Sequence, residues 1–413
     1  SNHVSLSDGG SGGQCAPTPN DNVYFTSNSF SNANQVITLD IDNNGIVNLD
    51  WTGVTNSPQF NMTSKSLEIS GSVTYTADMS ISSPGTLKFI TNSNSFFTSA
   101  GHNTGNLDID KSGGVFSQLD NFNSSNRSLY VRSGSTYNSN DYDLSFHQVI
   151  FHGSPSGSVT TTINTGVSKI TIDGYRLEIA ADSNNRNMIT DFSSSTIHLK
   201  TAALSGSYYR KDNFGHIISE DAPSWRSVGY HVDRIRKFEI IQNSTNYQND
   251  PQVISTEFGS YHDNNNRGGI IDTLIINKYT RFNTNYNPVV GNLILTGDGT
   301  TLEIGTSGSL TVSNSLNLGS KTGTRNFLMS TTSGNQANIN YNGLDFCGDY
   351  IRIRDISLTT SATAILGPYS QNEGNTSGFN FNTDSSNTIN GMSITTSPTG
   401  GSFYDNQLIS FVI

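Results

Sequence analysis

Asp40, Asp42 and Asn44 have the one-three-five spacing of oxygen ligands in a calcium loop, and Gly45 follows at position six. A loop of that kind needs a bidentate glutamate at position twelve, where this chain has Trp51. The asparagines and the glycine of the segment are also typical of a tight turn between two strands. The sequence therefore favours a plain turn, keeps these three residues as calcium candidates, and predicts no cofactor.

The stretch from residue 205 to residue 267 combines aromatic, histidine and arginine side chains of the kind that bind sugars. Sugar rings stack on aromatic faces, and charged side chains hydrogen-bond to the ring edges. The same aromatic side chains could instead pack the stretch onto the rest of the protein, and both interpretations stay open. The candidate ligand-binding residues are Tyr208, Tyr209, Arg210, Trp225, Arg226, His231, Arg234, Tyr261 and His262.

Catalysis on polysaccharides is the alternative chemistry. His152-Gly153 and the run from Arg234 to Lys237 faintly resemble a His-Gly and Arg-Ile-Lys pair of pectin hydrolases. The paired aspartates that such hydrolysis requires are missing. The chain also has no Gly-x-Ser-x-Gly motif and no zinc-type histidine spacing. We therefore expect that the protein is not an enzyme, with a polysaccharide lyase or glycoside hydrolase as the alternative.

Composition argues against several classes of function. The net charge is −11 and no run of Lys and Arg occurs, which argues against nucleic-acid binding. No apolar run approaches the ~18 residues of a membrane span. The two cysteines, Cys15 and Cys347, do not form a disulfide scaffold. We expect both thiols to be unpaired, with Cys347 the more buried of the two.

The elements that must position these residues are short strands. Apolar residues recur as pairs two positions apart, which places both side chains on one face of a strand, and helical periodicity is nearly absent. Gly, Asn, Ser and Asp separate the pairs. The pairs are Leu67/Ile69, Leu87/Phe89, Leu107/Ile109, Leu129/Val131, Leu144/Phe146, Ile170/Ile172, Leu177/Ile179, Ile197/Leu199, Leu293/Leu295, Leu302/Ile304, Leu310/Val312, Leu316/Leu318 and Ile351/Ile353.

The spacing of the pairs along the chain indicates the architecture. Between residues 60 and 110 they recur about every twenty residues, which is the length of one coil of a parallel β-helix. A β-sandwich would need longer strands at regular spacing. The sequence therefore predicts an all-β, right-handed parallel β-helix over residues 23–380 with a loop-rich insert at 205–267. Residues 1–22 are expected to form a flexible arm, and residues 381–413 to form further strands or the start of another module.

Two stretches of the chain, roughly residues 5–90 and 290–380, resemble the repeated module of very large cell-surface proteins of Bacteroidota. Near the start, the resemblance rests on Cys15, Pro17, Thr18, Asp21, Asn22, Val23, Phe25, Asn28, Ser29, Phe30 and the run Asp50-Trp51-Thr52-Gly53. Near the end, it rests on Cys347-Gly348-Asp349-Tyr350 and on Gly378-Phe379. The extra Gly348, and Phe379 in the place of a tryptophan, depart from the pattern of that family.

That family is secreted by the type IX system and includes many gliding-motility adhesins. The resemblance implies a secreted, surface-displayed adhesin module that contacts glycans or solid surfaces, acts as a spacer, and meets the type IX machinery through the full-length protein. A purely structural stalk repeat is a further alternative. Asp272-Thr273-Leu274 also matches a short O-glycosylation signal of Bacteroidota, with Thr273 as the acceptor.

Overall fold

A computed structural model describes residues 5–13, 15–153, 159–180, 188–200, 203–206, 212–220, 232–241, 252–255, 270–277, 279–284, 287–320 and 323–382. These residues form no helix, and hence none that could cross a membrane. Their strands pair only in parallel and wind into a β-solenoid of about 13 turns. The predicted parallel β-helix is therefore confirmed, while its right-handed coil stays a prediction.

The largest sheet has 23 strands in two joined ladders. The first, here called the main sheet, contains β3 (Asn44–Ile46), β6 (Ser66–Ile69), β9 (Thr86–Ile90), β11 (Asn106–Asp110), β13 (Phe122–Val131), β15 (Leu144–His152), β17 (Lys169–Ala180), β18 (Met188–Leu199), β19 (Ala203–Gly206), β20 (Asp212–Ser219), β21 (Val232–Ile240), β23 (Ile270–Ile276), β25 (Val289–Leu295), β27 (Ser309–Asn317), β29 (Ala337–Tyr341) and β32 (Ile356–Thr360). The second contains β1 (Val23–Tyr24), β4 (Leu49–Asp50), β7 (Val73–Thr74), β10 (Ser95–Thr98), β12 (Val115–Gln118), β14 (Thr136–Asn138) and β16 (Thr161–Asn164), and β18 joins it to the first.

Three smaller sheets form the remaining sides of the coils. A three-stranded sheet near the N-terminus contains β2 (Val36–Thr38), β5 (Gln59–Asn61) and β8 (Ser80–Ser82). A six-stranded sheet contains β22 (Gln252–Ser255), β24 (Thr280–Asn283), β26 (Thr301–Ile304), β28 (Asn326–Ser330), β31 (Ile351–Arg354) and β34 (Gln371–Asn372). A three-stranded sheet near the C-terminus contains β30 (Phe346–Gly348), β33 (Ala364–Leu366) and β35 (Asn380–Phe381).

The apolar pairs of the sequence stack on one another inside the solenoid. All thirteen predicted pairs are buried. Leu67, Leu87, Leu107 and Leu129, for example, are register partners on successive coils. Adjacent parallel strands lie about 4.8 Å apart, so these side chains form a continuous column and each coil covers the next.

Polar side chains at the corners explain why the chain is rich in Asn and Asp. The side-chain oxygen Oδ1 of Asn48 accepts a hydrogen bond from the Ser72 backbone amide at 2.6 Å, and the Asp143 carboxylate accepts one from the Lys169 backbone amide at 2.8 Å. Asp120 accepts from the amides of Ser99 (2.8 Å) and Ala100 (2.6 Å). These bonds join neighbouring coils where no strand pairing is possible, so they satisfy backbone donors at the turns.

The predicted domain boundaries stay predictions, and the described residues add observations at three of them. The coils continue through the predicted insert at 205–267, because β20, β21 and β22 lie in it and pair with neighbouring coils. The arm is anchored in part, since Asp8 accepts a hydrogen bond from Asn28 at 2.9 Å and the Asp21 carbonyl accepts one from the Val47 amide at 2.8 Å. Of the predicted C-terminal strands, β35 is observed, and residues 383–413 lie outside the described residues.

Both cysteines have free thiols, as predicted. Both side chains are exposed, and the prediction that Cys347 is the more buried of the two stays a prediction. Cys347 lies at the centre of β30, where the alternation of the strand turns Phe346 towards the core and Cys347 away from it.

Candidate functional site

The sugar-binding residues predicted at 205–267 are described at one position only. Tyr208, Tyr209, Arg210, Trp225, Arg226, His231, Tyr261 and His262 lie outside the described residues. Arg234 lies in β21 and faces solvent, and its Nε donates to both carboxylate oxygens of Asp272 on the next coil at 2.9 Å. Its guanidinium is therefore already engaged by a carboxylate of the protein.

The calcium candidates form a turn. The Asp42 carboxylate accepts hydrogen bonds from the Ser66 amide at 2.8 Å and from the Asn43 amide at 3.2 Å, while Asp40 is exposed and Asn44 begins β3. Within the described residues, no group of three or more His, Cys, Asp and Glu side chains could hold a metal. Trp51, at position twelve, is fully buried.

The glycosylation candidate Thr273 lies half-buried in β23, and its hydroxyl accepts a hydrogen bond from the Asn292 amide group at 3.2 Å. Ile271 and Leu274 are both buried, so the strand bends between them and turns Asp272 and Thr273 outward together. The modification of Thr273 stays a prediction.

The residues that faintly resemble a pectin-hydrolase site do not meet. His152 lies in β15, whereas Arg234 and Lys237 lie in β21. Strands β17, β18 and β20 separate them, which corresponds to ~19 Å of stacked coils. The pattern therefore does not assemble into one site.

Carboxylates do occur on successive coils of the main sheet, and cations of the protein pair with them. Glu178 is 2.7 Å from Arg176, and Glu239 is 2.6 Å from His216 and 2.8 Å from Lys237. Glu220 hydrogen-bonds to His198. The pKa of Glu239 lies below its usual value, because hydrogen bonds from Lys237 and His216 outweigh the effect of its burial. The His198–Glu220 and His216–Glu239 contacts link adjacent coils, whereas Arg176–Glu178 and Lys237–Glu239 each lie within one strand.

A different surface brings aromatic and charged side chains together on the outside of the six-stranded sheet. In β31, Ile351 and Ile353 point into the core, so the alternating Arg352 and Arg354 point outward. The same alternation places Phe327 outward in β28. We call this surface the aromatic–arginine face, and it consists of Tyr279, Arg281, Glu303, Arg325, Phe327, Tyr350, Arg352, Arg354, Tyr369 and Glu373.

Aromatic rings and guanidinium groups are in direct contact on this face. The Arg352 and Arg354 guanidinium carbons lie 4.6 Å and 5.3 Å from the centre of the Phe327 ring. Tyr350 and Tyr369 stack with ring centres 4.7 Å apart and planes 10° from parallel. The Asp349 carboxylate accepts hydrogen bonds from the amides of Tyr350 (2.8 Å) and Tyr369 (3.0 Å), which holds the two backbones of the stack together.

Two arginines of the face are paired with carboxylates. Arg281 donates from Nε to Glu303 at 2.7 Å, and Tyr279 donates to the other oxygen of Glu303 at 2.6 Å. Arg352 donates from Nε to Glu373 at 2.6 Å. The pKa of Glu373 is lowered chiefly by this hydrogen bond, and the charges of Arg352, Arg354 and Arg325 lower it further against a smaller effect of burial. Arg352 thus contacts this carboxylate directly, and Arg325 and Arg354 act on it through their charges.

Two arginines have a weaker attachment. Among the described residues, neither Arg325 nor Arg354 has a carboxylate oxygen within hydrogen-bonding distance. Arg354 Nε lies 3.7 Å from Asp355 and has no hydrogen-bond partner, and Arg325 donates to the carbonyl oxygen of Tyr369. Tyr369 is exposed and Phe327 and Tyr350 are partly buried, and rings with guanidinium donors beside them provide both interactions that sugars use: stacking against the ring face and hydrogen bonds at its edge.

The sequence contained a signal for this face. Ile351-Arg352-Ile353-Arg354 alternates apolar and cationic residues, and the prediction used only the apolar half of the pattern. The contribution of Phe327 and Tyr369 could not be predicted in this way, because they come from the neighbouring coils and meet Arg352 and Tyr350 only through strand register.

The opening motif of the family resemblance has a structural role here. The Phe25 and Trp51 rings lie 4.1 Å apart, Phe30 stacks on Trp51 at 6.2 Å, and all three belong to the first coils.

No family model matches the chain, and no curated protein or solved structure shows significant similarity to it.

Proposed function

We propose that the protein is an extracellular adhesin module, in which a stiff solenoid displays a carbohydrate-binding face and acts as a spacer within a larger surface protein. The observation that carries the proposal is the aromatic–arginine face. Its exposed side chains come from consecutive rungs of one sheet, and the same rungs bury Leu302, Leu328 and Ile353 in the core. Secretion and type IX export are proposed only from the resemblance of the terminal motifs.

The scaffold favours binding because it fixes the contact residues before a ligand arrives. Strands β26, β28 and β31 are hydrogen-bonded in register, and the Arg352 and Arg354 guanidinium groups rest against the Phe327 ring. Side chains that are already ordered lose less conformational entropy on binding. A site built on strands is also held more accurately than a site on loops.

The alternatives have less support. A hydrolase needs two carboxylates that flank the scissile bond, whereas on the main sheet Glu178 and Glu239 are paired with Arg176 and Lys237, and Glu220 is hydrogen-bonded to His198. A stalk repeat without a ligand has no need for exposed aromatic rings that share one face with arginines. That grouping favours a binding role.

A glycan array followed by calorimetric titration tests the proposal. We expect the intact chain to bind at least one class of polysaccharide, and Phe327→Ala to weaken that binding about tenfold, which corresponds to ~1.4 kcal/mol. Phe96→Ala is the matched control, because Phe96 is a 46% exposed phenylalanine in a strand of another sheet. Binding that both variants lower equally, or no glycan binding at all, would contradict the proposal.

A further inference from the structure

We infer that the aromatic–arginine face selects anionic polysaccharides, whose uronate or sulfate groups bind among Arg325, Arg352 and Arg354. The inference rests on the proposed carbohydrate-binding function and adds the class of sugar. It follows from the balance of charges on the face, the donors that its arginines retain, and the spacing of its coils.

The arginines near Glu373 carry positive charge on a protein whose overall charge is negative. Arg325, Arg352 and Arg354 all act on Glu373, and Arg354 also lies 3.7 Å from Asp355, so three guanidinium groups share these two carboxylates. Asp349, the third carboxylate of this corner, accepts hydrogen bonds from the backbone amides of Tyr350 and Tyr369. The whole chain has a net charge of −11. An anionic polymer is therefore repelled by the protein as a whole and attracted where these arginines lie together. A neutral polysaccharide would not need such a cluster.

The arginines retain donors for a ligand. The hydrogen bonds of Arg325 and Arg352 described above use their Nε–H groups, and a guanidinium has five N–H donors in all. A planar guanidinium can donate two parallel hydrogen bonds to a carboxylate or a sulfate. Arg352 is paired with the Glu373 carboxylate at 2.6 Å, so it can offer a ligand only the N–H groups that this hydrogen bond does not use.

The coil spacing suits a polymer that runs along the solenoid axis. Arg281, Glu303, Met329 and Arg354 are register partners on four successive coils. At about 4.8 Å per coil, the strand positions of Arg281 and Arg354 are ~14 Å apart. One coil has roughly the length of one sugar unit, so successive sugars can meet successive rungs. The Tyr350–Tyr369 stack provides an aromatic surface at the corner of the same face.

The test compares hexasaccharides of alginate (uronate), heparin (sulfate and uronate) and laminarin (neutral) by calorimetric titration. We expect the anionic sugars to bind more tightly, with an affinity that falls as the salt concentration rises. Arg354→Gln and Arg325→Gln should each lower that affinity about tenfold, because each variant loses a hydrogen bond between a charged donor and a charged acceptor. Binding of laminarin should not change.

Arg176→Gln is the control, since Arg176 also lies over a tyrosine ring, at 4.8 Å from Tyr175, but on the main sheet. Thermal melts followed by circular dichroism establish that each variant is folded. Equal, salt-insensitive binding of all three sugars would overturn the anionic preference and leave the adhesin proposal standing. Binding of none would overturn both. Anionic binding unchanged by both face variants, or lowered equally by Arg176→Gln, would overturn the assignment to these arginines.

Discussion

Aromatic side chains lie in opposite places in the two ends of the solenoid. In the N-terminal coils they fill the interior, where Phe116 contacts Phe89 at 4.8 Å and Tyr137 at 5.8 Å between ring centres. In the last described coils, Leu and Ile occupy most of the interior, and Phe327 and Tyr369 lie on the outer surface. The same residue type therefore serves the core at one end and a surface at the other.

The difference shows how a solenoid separates stability from binding. Inward positions of every rung are fixed by stacking on the next coil, whereas outward positions can vary without disturbing it. Outer aromatic residues also occur in the N-terminal half, such as Tyr130 and Tyr175, each with one arginine over its ring. Only in the C-terminal coils do the described residues place several rings and several arginines on one continuous face.

The largest expected effect is on stability, from an interior aromatic residue. Phe116→Ala removes a fully buried ring and leaves a cavity among Phe89, Phe97 and Tyr137, which costs about 3–5 kcal/mol. Phe327→Ala should cost less than ~1 kcal/mol, because its ring is only partly buried. Urea denaturation of the two variants measures the contrast, and equal losses would contradict it.

The corner hydrogen bonds provide the second comparison. Asp120→Ala leaves the Ser99 and Ala100 amides without their acceptor and should cost about 1–3 kcal/mol. Asp349→Ala breaks the equivalent bonds to Tyr350 and Tyr369, so it should lower both stability and glycan affinity. Denaturation and calorimetric titration of both variants separate the effects. Loss of glycan affinity in Asp120→Ala would contradict the proposed division of roles.

A smaller effect is expected from Lys111, which is fully buried and donates from Nζ to Ser95 at 3.0 Å. Burial lowers its pKa from 10.5 because the ammonium form loses water. Below the folded-state pKa the charged amine destabilises the fold, and this cost diminishes as the pH rises towards the unfolded value of 10.5. Lys111→Met should therefore raise the melting temperature by ~2 °C at neutral pH.

The pH series of that variant provides the check. The gain from Lys111→Met should shrink as the pH rises through the window between the lowered folded-state pKa and 10.5. A gain that stays constant up to pH 10.5 would mean that better packing, and not the buried charge, causes the stabilisation. A loss of stability at neutral pH would show that the hydrogen bond to Ser95 outweighs the cost of burying the amine.

The architecture could be predicted from sequence because the interior repeats in every coil. Pairs such as Leu87/Phe89 and Leu107/Ile109 are spaced by one coil and point to one face, and the structure stacks them in register. The coils within residues 205–267 were harder to predict. In β21, Phe238 and Ile240 form a buried pair two positions apart that the sequence prediction did not use, and Ile235 lies three positions before Phe238, where the strand bends.

The candidate site was harder to predict because it depends on contacts between coils. The sequence prediction favoured the stretch richest in charge, whereas Phe327, Arg352 and Tyr369 are scattered over 43 positions and meet through register. Alternation in Ile351-Arg352-Ile353-Arg354 could have identified the arginines alone. The aromatic partners required knowledge of which strands are neighbours.

Hydroxyl-radical footprinting with the alginate hexasaccharide tests the central claim most directly, because it reads the solvent exposure of individual side chains. We expect bound sugar to lower the oxidation of Phe327, Met329, Tyr350 and Tyr369. The oxidation of Phe96, in β10 of the N-terminal coils, should not change. Unchanged oxidation of these four side chains at saturating sugar, or protection confined to residues 205–267, would contradict the assignment of binding to the aromatic–arginine face.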